Sequence, residues 1–477
     1  MDTGANKGRW MIVGPKGRWM ILGPLLAALA GVAGDAAGLS TPAAITLAVT
    51  ILCAIWWVSE ALPIPATSLI PFVVFPFTGV LSHAEVASAY GHTLILLLLG
   101  GFMLSRAVER SGAHRRLALG MVRLVGAQGG ARLILGFMIA TAVMSMWISN
   151  TATVLVLLPV ALAALGDDSD PATRRGMLLG LAYAGSIGGL GTPIGTPSNL
   201  IFLGVYREVS GTEISFLDWM RIGIPLVLVL LPVAWWVVTR GVHQRGRIAL
   251  PEVKPMTVAE RRVLMLFALT ALAWLTRTAP YGGWQQLIGS STAGDSTVAL
   301  AAVLACFLIP SGTDDGRGGR LLDWEAAERI PWGLLILFGG GIAIAKAFEA
   351  SGLSAALGEQ LLVLRTLPPL LMIFGLCLTV TLLTEGTSNT ATTTLLMPLL
   401  AAAALAAGLD PLLLMLPAAL SASCAFMLPV ATPPNAVVFA TGELRVADMA
   451  RRGLVLNLLG ALVVTAAVWA LGPGLVG

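Results

Sequence analysis

Two polar clusters interrupt otherwise apolar sequence in the same way. Ser149-Asn150-Thr151-Ala152-Thr153 and Ser388-Asn389-Thr390-Ala391-Thr392 lie 239 residues apart, with Pro159 and Pro398 following at the same distance. A second interruption comes after each cluster. It runs Gly188-Gly189-Leu190-Gly191-Thr192-Pro193-Ile194-Gly195-Thr196-Pro197-Ser198-Asn199 in the first half and Pro429-Val430-Ala431-Thr432-Pro433-Pro434-Asn435 in the second. Hydroxyls both donate and accept, and an Asn side chain offers an oxygen to a cation and an N–H to a carboxylate. Helix N-termini hold anions without fixed positive charge. Carbonyl and amide oxygens are hard ligands suited to Na+. The clusters contain no His or Cys, and Glu385 is the only acid nearby. Hydrolysis would need a nucleophile with a base, or a metal with a base. These residue types instead outline a symport site, in which cations offset the charge of an anionic substrate.

The elements that must position such a site are membrane helices. The chain is 57% hydrophobic and 11% charged, where a soluble domain carries about 25% charged residues. Its mean hydropathy is +0.86, and many runs approach the roughly 18 apolar residues that span a bilayer. The expected class is an all-α polytopic membrane protein embedded in lipid, with no nucleic-acid partner. Polar clusters inside such runs are costly unless they line a site. Cys53, Cys306, Cys377 and Cys424 lie in apolar stretches without CxxC spacing, so they read as buried inert thiols. His83, His92, His114 and His243 have no partner in sequence. Lys346 and Glu349, three apart on one helix, are expected to pair with each other. Glu60, beside Trp56-Trp57, is placed near the membrane face or a subunit contact. Glu385 either orients the second cluster or serves local structure.

The chain opens with a tandem repeat, KGRWMIVGP then KGRWMILGP, over residues 7–24. The apolar run behind it passes a signal-like Ala28-Leu29-Ala30 without stopping, so it reads as an uncleaved first span. Further spans are expected at 42–60, 64–81 and 91–110, then a basic amphipathic stretch at 113–130. The apolar run 133–165 is too long for one span and polar in its middle, which suits a re-entrant hairpin with Ser149-Asn150-Thr151 at its tip. A broken helix follows at 176–205. The second half repeats the plan, with spans at 222–240, 262–277, 297–311 and 332–350. A hairpin at 367–406, a broken helix at 411–442 and a last span at 453–474 complete it. This gives eleven spans plus two re-entrant helical hairpins. The chain divides into first-repeat scaffold spans and arm (1–130), first-repeat transport elements (131–221), second-repeat scaffold spans and arm (222–366), second-repeat transport elements (367–452) and a last span (453–477).

Two further landmarks support the repeat. Gly101 to Gly112 matches Gly341 to Gly352 at an offset of 240, and Thr196 to Asn199 matches Thr432 to Asn435 at 236. A cytoplasmic N-terminus and an outer C-terminus place all but five of the 29 basic residues inside, the exceptions being Arg207, Arg221, Arg277, Lys346 and Arg365. The hairpins then open to opposite faces, which makes the halves inverted repeats around a midplane site.

At these motifs the sequence resembles the divalent anion:sodium symporter family, which carries di- and tricarboxylates and sulfate. The resemblance covers nearly the whole chain. It implies a homodimer in the plasma (inner) membrane, each protomer with a fixed scaffold and a transport domain that moves as an elevator. It also implies two Na+ sites: Ser145, Ser149, Asn150 and the Gly195 carbonyl, then Thr384, Thr387, Asn389 and the Ala431 carbonyl. Substrate carboxylates would meet Asn150, Thr151, Ser388, Asn389, Thr390 and Thr432, with Pro433 shaping the pocket. Ser198 departs from the family's frequent second proline, which Pro434 keeps. The leading expectation is sodium-coupled symport of C4-dicarboxylates such as succinate, malate and fumarate. Dicarboxylate exchange and sulfate or citrate transport are the alternatives within the family. A membrane-embedded enzyme is the runner-up from another class, and it lacks a His/Asp/Glu cluster to do the chemistry.

Overall fold

Helix follows helix from Pro15 to Leu471 in the computed structural model, which describes residues 15–126, 129–166, 169–243, 255–278, 282–289, 292–312, 319–360 and 368–471. The first copy of the tandem repeat, up to Gly14, lies outside the described residues, as do Arg317 and Arg365. Among the described residues the only β pairing is an isolated bridge between Pro310 and Arg320. The first half contains α1 (Pro15–Ala36), α2 (Thr41–Ser59), α3 (Ile64–Thr67), α4 (Ile70–Thr78), α5 (His83–Tyr90), α6 (Thr93–Ser111) and the basic arm α7 (Ala113–Val125). The hairpin α8 (Gly130–Ser145) and α9 (Asn150–Leu165) follows, then the broken pair α10 (Pro171–Gly188) and α11 (Pro197–Ser210). The second half contains α12 (Phe216–Val238), α13 (Val258–Leu275), α14 (Gly283–Leu287), α15 (Asp295–Leu308), α16 (Trp324–Ala327), α17 (Trp332–Ala350) and α18 (Leu353–Gln360). It ends with the hairpin α19 (Pro369–Thr384) and α20 (Asn389–Ala406), the broken pair α21 (Leu412–Ala422) and α22 (Pro433–Phe439), and α23 (Val446–Leu471).

Three of the four hairpin arms are too short to cross. Each of these has 16 residues, or about 24 Å at 1.5 Å per residue, against a hydrocarbon core of about 30 Å. The chain turns at Met146–Ser149 and again at Glu385–Ser388, where the polar residues withdraw from the apolar arms. Each broken helix resumes on a proline, Pro197 or Pro433. Proline is tolerated there because the first helical N–H has no intrahelical acceptor.

Among the described residues, seven helical stretches are long and apolar enough to cross a membrane by themselves. Six of them match expected spans; the seventh is the hairpin arm α20. The remaining expected spans are interrupted, short or charged. The segment expected as one span at 64–81 is two helices, because Pro71 has no N–H for the Thr67 carbonyl. Several helices start earlier than their apolar runs. Ser215 with Asp218 and Thr257 with Glu260 form capping boxes, so α12 begins at Phe216 rather than 222 and α13 at Val258 rather than 262. Hydropathy reports the apolar stretch, whereas the helix starts at its cap.

The long-range ion pairs sort into two sets. Arg110–Asp323, Arg116–Glu260 at 2.9 Å and Arg174–Glu443 at 2.8 Å join segments expected at the cytoplasmic end. His92–Glu208, Lys346–Glu208, Arg277–Glu213 and Arg277–Asp295 join segments expected at the other end. Lys346 therefore does not take Glu349 as its partner. Its ammonium reaches from α17 to Glu208 on α11 at 3.3 Å and donates to Ser88 Oγ at 3.0 Å. His92, read as partnerless in sequence, lies 3.3 Å from Glu208. All four cysteines are free and buried.

Candidate functional site

Both hairpin tips and both helix breaks open into one cavity of about 1000 Å3. Ser149, Asn150, Thr151, Gly195, Thr196 and Pro197 line it from the first repeat. Thr387, Ser388, Asn389, Thr390, Ala431, Thr432 and Pro433 line it from the second. Residues 239 apart in sequence thus share one space. The N-termini of α9, α11 and α20 begin at this cavity, each with N–H groups that no helical carbonyl satisfies.

One arrangement is built twice behind the tips. Ser145 Oγ lies 2.6 Å from Asn150 Oδ1 and 2.7 Å from the Gly185 carbonyl. Thr384 Oγ1 lies 2.7 Å from Asn389 Oδ1 and 3.0 Å from the Ala422 carbonyl. Ser145 and Thr384 are fully buried and do not line the cavity; they back the asparagines that do. A hydroxyl has a single proton, yet each of these faces two carbonyl-type oxygens. Each triad has a surplus of lone pairs, which suits a small hard cation. The first triad also has a cradle. A Cβ built on Gly189 would stand 3.0 Å from Asn150 Oδ1 and 3.1 Å from the Gly195 carbonyl oxygen, so these oxygens close on a space that only glycine leaves open.

The breaks are held alike. Asn199 Nδ2 donates to the Gly189 and Thr192 carbonyls at 2.9 and 2.8 Å. Asn435 Nδ2 donates to the Ala425 and Leu428 carbonyls at 3.1 and 3.0 Å. The unwound backbone is satisfied inside the protein, as a membrane interior requires. Thr432 N-caps α22 by accepting from Asn435 N at 3.2 Å. Ser149 caps α9 without using its side chain, whereas Ser388 accepts from Ala391 N at 3.5 Å. The Thr387 hydroxyl donates to the Leu383 carbonyl at 2.9 Å and lies 2.6 Å from Thr392 Oγ1. Ser198 is fully buried and absent from the cavity wall; its hydroxyl has no hydrogen-bond partner among the described residues.

Sequence reasoning missed part of the wall. Ser186, one residue after the carbonyl that Ser145 meets, lines the cavity. The wall also includes Glu60, Arg106, Glu109 and Arg329. Glu60 thus faces the cavity, in a left-handed conformation at φ +48° that is uncommon for a side-chain-bearing residue. Arg106 and Arg329 carry no signal in sequence, because only the packing of α6 against the segment before α17 brings them to this opening. Trp147, in the first tip, lines the cavity and stacks on Phe216 at 6.0 Å between ring centres.

Residues 20–476 match the family described as the sodium:sulfate symporter transmembrane region. Among curated proteins, the sodium-dependent dicarboxylate transporter SdcS of Staphylococcus saprophyticus is 41% identical over 461 residues, covering 92% of this chain and 88% of that protein. SdcS of Staphylococcus aureus is 40% identical over 453 residues, covering 90% and 86%. Two solved structures share the fold at 14% identity. The Alcanivorax borkumensis YdaH transporter has a TM-score of 0.60, covering 88% of this chain and 98% of its own. The Neisseria gonorrhoeae MtrF, of a class of antimetabolite efflux pumps, has a TM-score of 0.57, covering 83% and 84%. The paired Ser-Asn-Thr tips, the twofold hydrogen-bond plan and a family match over nearly the full length agree: this chain belongs to the sodium:sulfate symporter family, the divalent anion:sodium symporters.

Proposed function

We propose that the protein is a secondary active transporter that carries C4-dicarboxylates such as succinate together with Na+ across the plasma membrane, and that it is not an enzyme. The observation that carries this reading is the duplicated triad, Ser145–Asn150–Gly185 and Thr384–Asn389–Ala422, with its surplus of oxygen lone pairs beside a single cavity. The sodium-dependent dicarboxylate transporters that resemble the chain along most of its length support it. Among the described residues no group of three or more His, Cys, Asp or Glu could hold a resident metal.

In this reading Ser145, Ser149, Asn150 and the Gly195 carbonyl hold one Na+. Thr384, Thr387, Asn389 and the Ala431 carbonyl hold the other. Each asparagine turns its oxygen to the ion and its N–H to the substrate. Thr151, Ser388, Thr390 and Thr432 donate to the two carboxylates, and the helix N-termini add their dipoles. Bound Na+ supplies the positive charge that the cavity core lacks, so substrate binds well only after the ions. The cavity wall reaches Arg106, Glu109 and Arg329 at the end rich in basic residues, which we assign to the cytoplasm by the positive-inside rule. The state described is then inward-open. Hairpins and broken helices would carry the site between faces as an elevator within a homodimer, as the family resemblance implies.

The test is uptake of labelled succinate into proteoliposomes. Uptake should require an inward Na+ gradient and rise steeply with Na+ concentration. Equal uptake in potassium or choline, with no counter-substrate inside, would refute sodium coupling.

A further inference from the structure

The two repeats are alike at their cation-facing triads and unlike one layer behind. The shared hydrogen bonds align Ser145 with Thr384 and Asn150 with Asn389, which sets Met146 opposite Glu385. A glycine presses on each break: a Cβ on Gly223 would meet the Leu190 carbonyl oxygen at 2.5 Å, and one on Gly453 the Phe426 carbonyl oxygen at 2.2 Å. That match sets Val227 on α12 opposite Asn457 on α23. Two apolar residues of the first repeat thus occupy the positions that a carboxylate and a carboxamide hold in the second.

Glu385 and Asn457 are buried, at 5% and 0% exposure. Glu385 Oε1 accepts from Phe426 N at 2.7 Å, Met427 N at 2.8 Å and Asn457 Nδ2 at 2.7 Å; Oε2 accepts from Leu428 N at 2.9 Å. A carboxylate in an apolar interior is costly unless its charge is met by aligned donors, and four meet this one. The first repeat makes the equivalent tie with a bond in which Thr192 Oγ1 donates to the Met146 carbonyl. There α12 reaches the break through a neutral contact, Trp219 Nε1 donating to the Leu190 carbonyl at 2.9 Å.

We infer that Glu385 and Asn457 form a clamp that positions the second cation site; the inference rests on the sodium-coupled reading. Both are positioning residues. Glu385 directly follows Thr384, whose hydroxyl faces Asn389 and Ala422. The Leu428 N–H that Glu385 holds belongs to the residue whose carbonyl accepts from Ala431 N at 3.2 Å. The Ala431 carbonyl, the Thr384 hydroxyl and the Asn389 amide are thus fixed relative to one another through one carboxylate, and Asn457 anchors that carboxylate to α23. The first site has no such clamp, so loss of it affects the two sites unequally.

The experiment measures Na+-dependent succinate uptake by the full-length protein in proteoliposomes for wild type, Asn457→Val and Glu385→Gln. Valine is the aligned first-repeat residue and close to asparagine in size, so Asn457→Val is the second variant if Glu385→Gln does not fold. In both variants the half-saturating Na+ concentration should rise about tenfold. The Hill slope should fall toward one, and the maximal rate at saturating Na+ should stay within about threefold of wild type. Half-saturation and slope within twofold of wild type would overturn the clamp. So would a lower maximal rate at unchanged half-saturation, which is the signature of a purely structural role. Wild-type uptake indifferent to Na+ would instead overturn the sodium reading on which the clamp depends.

Discussion

Lys346 Nζ lies 3.3 Å from Glu208 Oε2, joining α17 to the end of α11 far from the cavity opening. Nearby, Arg277 bridges Glu213 at 3.0 Å and Asp295 at 2.8 Å, which links the loop after α11 to α13 and α15. If α11 belongs to the moving unit and α17 to the fixed one, this layer closes the outer end and must part before the site faces outward. An incompletely buried pair is worth up to about 1 kcal/mol, or about a fivefold change in population. Lys346→Met should therefore raise the reaction of a cysteine introduced at Leu203, buried on α11, with a membrane-impermeant maleimide added outside, by several-fold. The four buried native cysteines keep background labelling low. Labelling unchanged by Lys346→Met would show that the pair does not bias the two states.

Asn150→Ala and Asn389→Ala each remove one oxygen of a triad and one donor to the anion. A hydrogen bond to a charged group is worth about 1.5–3 kcal/mol, so apparent affinity for Na+ and for succinate should each fall at least tenfold. Initial-rate uptake over a matrix of Na+ and succinate concentrations checks both. A folded variant with wild-type kinetics would remove that asparagine from the site.

Gly195→Ala tests the geometry of the first break. The added Cβ would stand 2.5 Å from the Gly189 carbonyl oxygen, a backbone atom that yields only if the break moves. The break carries the carbonyl assigned to the first Na+ site, so Na+ affinity should drop at least tenfold while the second site keeps its contacts. Sodium-dependent thermal stabilisation of the purified variant reads this without transport; a wild-type shift would place the Gly195 carbonyl outside the site.

The plan of the fold was legible because its signals are local. A polar Ser-Asn-Thr in an apolar run and a Gly/Pro break announce themselves in one window each, and their common offset reveals the repeat. The hairpin tips, both breaks and the basic arm fall where the sequence puts them. What escaped depended on tertiary packing. Glu208 carries no mark as a partner for His92 and Lys346, because the three lie on helices that meet only in space. Lys346 has an acid three residues away, and local spacing favoured that acid over Glu208. Ser186 looks like any small polar residue in a helix until the hairpin packs beside it. Glu385 was visible as a lone acid, but its three backbone donors come from residues more than 40 positions away.

A polar substrate cannot cross an apolar core unprotected, so the site must be enclosed by protein throughout transfer. The tips and breaks share their hydrogen bonds: Ser145 reaches α10 and Thr384 reaches α21, while Glu385 ties the second hairpin to both its break and α23. These elements should therefore travel together, with little change in the distances between them. The segment around Ala61, after α2, should stay with the fixed part. Spin labels at Leu405, an exposed position near the end of α20, and at Ala61 should change separation by several ångströms between apo, Na+-bound and succinate-bound states in a preparation that transports. Labels at Leu405 and Val446, both exposed and both on elements assigned to the moving unit, should hold their separation under the same conditions. A constant first distance would refute the elevator, and a changing second distance would show that the hairpin and α23 do not move as one body.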